Sequence, residues 1–119
     1  MNIDDYAKKA ASTAVYKSLD YPFVLLAEEA GEVLGKLNKF ARKNKINLET
    51  AVSHATVPSN STDEELRHAV ILELGDIAWG LVECCRMLCI DPGEVLQANI
   101  NKLYGRAQRG TINGQGDNR

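Results

Sequence analysis

Residues 66–82 read LRHAVILELGDIAWGLV, and two acids, Glu73 and Asp76, stand in that run where the apolar period calls for hydrocarbon. On a helix, the neighbours of a residue lie three and four positions away. For Glu73 these are Ala69, Val70, Asp76 and Ile77; for Asp76 they are Leu72, Glu73, Trp79 and Gly80. Each acid has the other as its polar neighbour, on a face that otherwise reads as buried. Leu66, Ala69, Val70, Ile77, Leu81, Val82 and Leu88 continue that face, which predicts one long helix from Ser61 to about Cys89. Two overlapping capping boxes, Ser61 with Glu64 and Thr62 with Glu65, mark its start.

Upstream, a second helix is predicted from about Pro22 to Arg42, with Leu26, Ala30, Val33, Leu37, Phe40 and Ala41 as its stripe. Pro22 suits its first turn. Glu29 and Glu32 repeat the three-residue spacing among Leu25, Leu26 and Val33, and Glu28 sits beside them. Packed antiparallel as a hairpin, the two helices bring four carboxylates together in the bundle interior. Desolvation makes unpaired buried carboxylates costly, so four in one place call for a cation. Oxygen-only ligands favour Mg²⁺, Mn²⁺ or Ca²⁺. A di-iron bundle would use Glu-x-x-His pairs, and neither pair contains histidine. Either acid pair alone would read as a solvated face, and it is the two pairs together, on apolar stripes of consecutive helices, that point to a metal.

Further out, a first helix is expected from about Asp4 to Lys17, with Ile3, Tyr6, Ala7, Ala10, Ala14 and Val15 at helical spacing. Residues 43–61 are polar and read as a long connection with one short helical turn around Leu48 to Val52. A last helix is expected from Pro92 to about Gln108, capped by Asp91, with Glu94 completing the box. Asn99, Lys102 and Arg106 form its polar stripe; Leu96, Ile100, Leu103 and Ala107 form its apolar one. That row reads either as an ordinary solvated face or, because lysine and arginine suit phosphate oxygens, as a phosphate clamp. Lys36, Lys39 and Arg42, one or two turns beyond Glu32, are within reach of an anionic substrate, but a solvated face is the stronger reading for them. The expected organisation is one helical domain over 1–108, with the connection at 44–60 and a Gly-rich tail over 109–119.

Apolar residues make up 45% of the 119 and aromatics 6%, so a core must rest on aliphatic side chains. The net charge of −2 argues against a broad nucleic-acid face. No apolar run reaches membrane-spanning length, and the acidic start is unlike a signal peptide, so a cytoplasmic protein is expected. Cys84, Cys85 and Cys89 read as reduced thiols in a helix, with Cys85 and Cys89 on one side of it. Tyr21, Phe23 and Trp79 are candidates for stacking on a base or for core packing, and His54 and His68 are given no role.

The chain resembles the MazG-like nucleoside triphosphate pyrophosphohydrolases of the all-α NTP pyrophosphatase superfamily, in particular the short single-domain type of phages and bacteria. The likeness is carried by Glu28-Glu29-Ala30-Gly31-Glu32-Val33, by Glu73-Leu74-Gly75-Asp76-Ile77-Ala78-Trp79, by Asn99-Ile100-Asn101-Lys102-Leu103 with Arg106, and by Arg109-Gly110-Thr111 and Gly116-Asp117-Asn118-Arg119. It implies an all-α, four-helix-bundle-like domain that oligomerises as a homodimer or homotetramer, with sites built partly across subunit contacts. It implies Mg²⁺, with Mn²⁺ as substitute, on Glu29, Glu32, Glu73 and Asp76. Lys102 and Arg106 would contact the triphosphate, with Asn99 near the nucleotide. Beside these implied roles, Glu28 reads as a fifth carboxylate that either positions the attacking water or supports the metal ligands from behind. The implied reaction converts a (d)NTP to the monophosphate and pyrophosphate. The 41 positions from Glu32 to Glu73 exceed what is common in that family, and the excess falls in the polar connection. A specialised nucleotide substrate, or a non-catalytic helical module holding a cation, are the competing readings.

Overall fold

The computed structural model describes residues 1–111, which form five helices: α1 (Ile3–Ser12), α2 (Tyr21–Asn44), α3 (Leu48–Thr56), α4 (Ser61–Met87) and α5 (Pro92–Arg109). No strand occurs among the described residues. The tail expected from 109 onward lies outside the described residues beyond position 111.

Side-chain oxygens start most of these helices. Asn2 accepts from the Asp5 amide at 2.9 Å, Asn47 from Thr50 at 2.8 Å, and Asp91 from Gly93 at 2.8 Å. The cap of α4 is Asn60, which accepts from the Asp63 amide at 2.8 Å. Ser61 and Thr62, expected as caps, are instead the first helical residues. An Asn side chain caps as well as Ser or Thr and here takes the Asp63 amide, so the helix begins one residue before the Ser/Thr boxes would place it.

α1 ends at Ser12, five residues short of the expected boundary. Ser12 Oγ donates to the Lys9 carbonyl and Thr13 Oγ1 to that of Ala10, at 2.6 and 2.7 Å. Hydroxyls that take the last carbonyls compete with a further helical turn. Val15, expected on the apolar stripe, is 90% exposed. The supposed connection between α2 and α4 holds a nine-residue helix, α3, so the bundle has five helices rather than four. α4 stops at Met87, and Cys89 adopts a left-handed φ of 57° outside it. Cys85 and Cys89 therefore do not share a helical face, and Leu88 is exposed.

The fold is organised by α2 against α4. Leu26 packs on Gly80, Lys36 meets Glu73, and Phe40 shares a groove with Leu66. Numbers rise along one helix as they fall along the other, which makes the pair antiparallel. Gly80 allows the close approach at their crossing: a Cβ there would lie 3.3 Å from the backbone Cα of Leu26, tighter than an ordinary contact. α3 packs on both, while α1 and α5 pack on α4 and on each other.

The core is built of small residues: Ala10, Ala41, Ala51, Leu66, Val82, Cys84 and Cys85 are buried. Leu34, Ile71, Leu72 and Leu74 of the central pair are about half exposed, as are Leu96 and Ile100 of α5. The radius of gyration is 17.2 Å, against about 13.5 Å for a compact domain of this length. No helix among the described residues is long and apolar enough to cross a membrane.

Candidate metal centre

The antiparallel register brings Glu29 of α2 opposite Glu73 and Asp76 of α4. One carboxylate oxygen from each lies within 4.8 Å of the others. Glu29 and Glu73 are half-buried and Asp76 is exposed, so the cluster lies at an open edge of the pair and not in the bundle interior expected from the sequence. The physical reason is the open fold: with so many aliphatic residues uncovered, the α2–α4 seam is itself a surface of the single chain. Glu32 is exposed and outside the three-acid cluster, although its charge acts on Glu29. Glu28 is exposed, one position before Glu29.

Crowding of like charge shows in Glu29. Its carboxyl is pushed up to about 6, first by its hydrogen bond with Glu73, then by burial and the charges of Asp76, Glu73 and Glu32. A proton or a cation relieves that repulsion. The donors are carboxylate oxygens alone, a set that suits a hard divalent ion. Lys36 adds a charge of the opposite sign, its Nζ standing 3.9 Å from Glu73 Oε1. Tyr6 ties α1 to the same turn: its hydroxyl donates to the Gly75 carbonyl at 3.4 Å. Burial and then the Asp76 charge raise the Tyr6 hydroxyl above its ordinary range.

The deepest acids are elsewhere. Glu83 and Asp63 are essentially inaccessible, and sequence reading singled out neither. Glu83 accepts from Arg86 Nε and Nη2 at 2.9 and 2.7 Å and from Tyr16 OH at 2.7 Å. The Arg86 bonds hold its carboxyl below the usual range against the effect of burial. Arg86, three positions on, was the available signal. Asp63 accepts from the Ser59 amide and hydroxyl, both at 3.1 Å, and its Oδ1 lies 2.9 Å from His54 Nδ1. The Ser59 amide is the main reason its carboxyl is lowered. His54, given no role from sequence, thus clamps α3 to α4.

One turn beyond Asp76, Trp79 lines a cavity of about 290 Å³ with Thr13, Val15, Tyr16 and Tyr21. Tyr16 stacks on Tyr21 with ring centroids 5.0 Å apart and meets Trp79 edge-on. Trp79 Nε1 donates to Thr13 Oγ1 at 2.9 Å, so the walls are fixed by hydrogen bonds as well as by packing. Phe23 is not among the lining residues.

On α5, Asn99 and Lys102 are exposed, but Arg106 is only 4% exposed. The expected faces hold only in part: Arg106 turns inward, while Leu96 and Ile100 of the expected buried stripe remain open. A long arginine stem can be buried where a short helix meets two others. α5 packs on α1 and α4 and makes no contact with α2. Within one chain the structure therefore does not bring α5 to Glu29 or Glu32.

Two comparisons bear on this arrangement. Residues 22–111, which span all four acids of the two pairs and the whole of α5, match the MazG nucleotide pyrophosphohydrolase domain. The chain is also similar to Gene 37 protein of Mycobacterium phage L5, at 33% identity over 128 aligned positions that cover the full length of both. No solved structure matches it. An all-helical chain with paired acids on neighbouring antiparallel helices, matched over most of its length, belongs to the MazG nucleotide pyrophosphohydrolase domain family.

Proposed function

We propose that the protein is a Mg²⁺-dependent nucleoside triphosphate pyrophosphohydrolase that converts a (d)NTP and water to the (d)NMP and pyrophosphate. The oxygen-only cluster of Glu29, Glu73 and Asp76 carries this reading. Glu32, exposed one turn from Glu29, would complete the set that holds the ion. When bound, Mg²⁺ or Mn²⁺ would polarise the phosphoryl oxygens and lower the pKa of the attacking water.

The chain's own groups do the positioning. Glu28 orients the water beside the cluster. The water oxygen bonds to the α-phosphorus, the α–β bridging oxygen leaves with the bonding pair on pyrophosphate, and the water proton passes to solvent. The fixed aromatic walls at Trp79, Tyr16 and Tyr21 offer a planar base its stacking surface, one turn from the acids. Asn99, Lys102 and Arg106 are assigned to the nucleotide by resemblance. Because α5 does not reach α2 in one chain, the exposed Asn99 and Lys102 serve the cluster of a second subunit, while Arg106 is buried within its own chain. The uncovered aliphatic residues of α2, α4 and α5 support a homodimer or homotetramer.

The test is incubation with Mg²⁺ and each common NTP and dNTP, with chromatographic separation of the products. Monophosphate plus pyrophosphate, lost on chelation, is expected. Inert common nucleotides would point to a modified substrate, and failure of every triphosphate to bind would leave the non-catalytic reading.

A further inference from the structure

The acids of α2 are the first part of a longer row. Glu29, Glu32, Lys36, Lys39 and Lys43 follow one another at alternating steps of three and four, so all five share one face of the helix. Side chains on a helix lean toward its N-terminus, which carries Lys36 back to its 3.9 Å approach to Glu73. Beyond that point the three lysines line a groove of about 210 Å³ between α2 and α4, with Phe40, Leu66 and Thr62 and a single acid, Glu65. The groove starts at Lys36, which meets Glu73 of the acid cluster, and runs about 10.5 Å along α2 to Lys43, seven residues of helical rise. It leads away from the aromatic cavity, which lies on the other side of the cluster.

On the reading that the cluster hydrolyses nucleoside triphosphates, we infer that Lys36 and Lys39 form the leaving-group subsite that binds the β- and γ-phosphates and the released pyrophosphate. The subsite begins at the cluster, where the α–β bond would break. Three ammonium groups against one carboxylate give it the sign that pyrophosphate requires, and ammonium donors suit phosphate oxygens. The apolar floor of Phe40 and Leu66 lowers the local dielectric under those charges. The placement also gives the substrate a direction: base toward Trp79, phosphate tail toward Lys39. Lys36 exchanges partners, leaving Glu73 for phosphate as the substrate enters.

The experiment measures inhibition by inorganic pyrophosphate, inhibition by the monophosphate product, and KM and kcat, in the wild type, Lys36→Met, Lys39→Met and the double variant. Lys36→Arg is the rescue variant and Lys9→Met a charge-matched control on α1. Calorimetric titration of Mg²⁺ into nucleotide-free protein is run alongside. Each Met variant is expected to weaken pyrophosphate inhibition about fivefold and raise KM by a similar factor. Monophosphate inhibition should stay unchanged, Mg²⁺ affinity should not fall, and Lys36→Arg should recover most of the loss. Unaltered pyrophosphate inhibition in an active double variant overturns the subsite and leaves the hydrolase reading standing. So does a loss confined to Mg²⁺ affinity, which would make Lys36 only a support for Glu73. If the wild type cleaves no triphosphate, calorimetric titration with pyrophosphate decides: lysine-dependent binding keeps the anion site without the hydrolase, and no binding removes both.

Discussion

Lys36 Nζ lies 3.9 Å from Glu73 Oε1, so the acid centre already holds a cation belonging to the chain. A divalent ion at Glu73 must compete with that ammonium. Removing the acid, in contrast, removes a ligand. Glu73→Gln and Asp76→Asn should each lower turnover by about 100-fold or more, while far-UV circular dichroism retains the helical signal. Full activity in either variant would remove the assigned metal centre.

Stability of the chelated protein should fall as pH rises through the acid cluster. Glu29 has its folded value pushed up to about 6 from an ordinary 4.5, so the fold favours the neutral carboxyl. That contribution is fully present below 4.5 and is lost as pH passes about 6. Differential scanning calorimetry in chelator should show this decline, and Glu29→Gln should flatten it. An equally steep decline in Glu29→Gln would contradict the assignment.

Asp63 works with the opposite sign. Its carboxyl is held below the ordinary 3.8, chiefly by the Ser59 amide. It therefore stabilises the fold above that value, and the contribution disappears as pH falls through the lowered one. Asp63→Asn should lower Tm at neutral pH and reduce the acid sensitivity of unfolding. A Tm unchanged at pH 7 would show that the His54–Asp63 clamp holds nothing.

The fully buried Glu83 depends on Arg86 for neutralisation. Arg86→Met leaves an unpaired carboxylate inside the protein, and urea unfolding should report a loss of about 2–3 kcal/mol, discounted for the half-exposed arginine. Tyr16→Phe removes a single bond from the same oxygen and should cost about 1 kcal/mol. If both changes cost equally little, the network is not what positions the loop between α1 and α2.

The exposed aliphatic side chains predict association. Light scattering should give a mass of at least twice the 13.1 kDa of one chain. Leu72→Glu, on the exposed side of α4, should shift it toward the monomer if that face is buried between subunits.

Much of this architecture was legible in the sequence because the relevant signals are local. The three-residue spacing of Glu29–Glu32 and Glu73–Asp76 placed the acids on two helices, and the antiparallel register then brings Glu29, Glu73 and Asp76 together. What could not be read was set by contacts distant in sequence. His54 meets Asp63 only because α3 folds back on α4, and no periodicity in a polar segment announces that. The early end of α1 turned on the hydroxyls of Ser12 and Thr13, which helical spacing at Ala14 and Val15 outvoted. Arg106 looked like part of an exposed polar stripe because charge pattern alone does not reveal which side of α5 its neighbours cover. For Lys36 the solvated face was preferred over contact with an anionic substrate for a related reason: its partner lies on another helix.

The clamp at Asp63 has a consequence for the acids it never touches. α4 is a continuous rod from Ser61 to Met87, and Asp63 sits ten residues, about 15 Å, from Glu73 along it. By pinning α3, which also packs on α2, the clamp blocks one helix from sliding along the other. The gap between carboxylates that an ion must span is thereby gauged at the far end of the rod. Substitutions at His54 or Ser59 would act as adjustments to that gauge, loosening ion affinity from a distance without altering a single ligand.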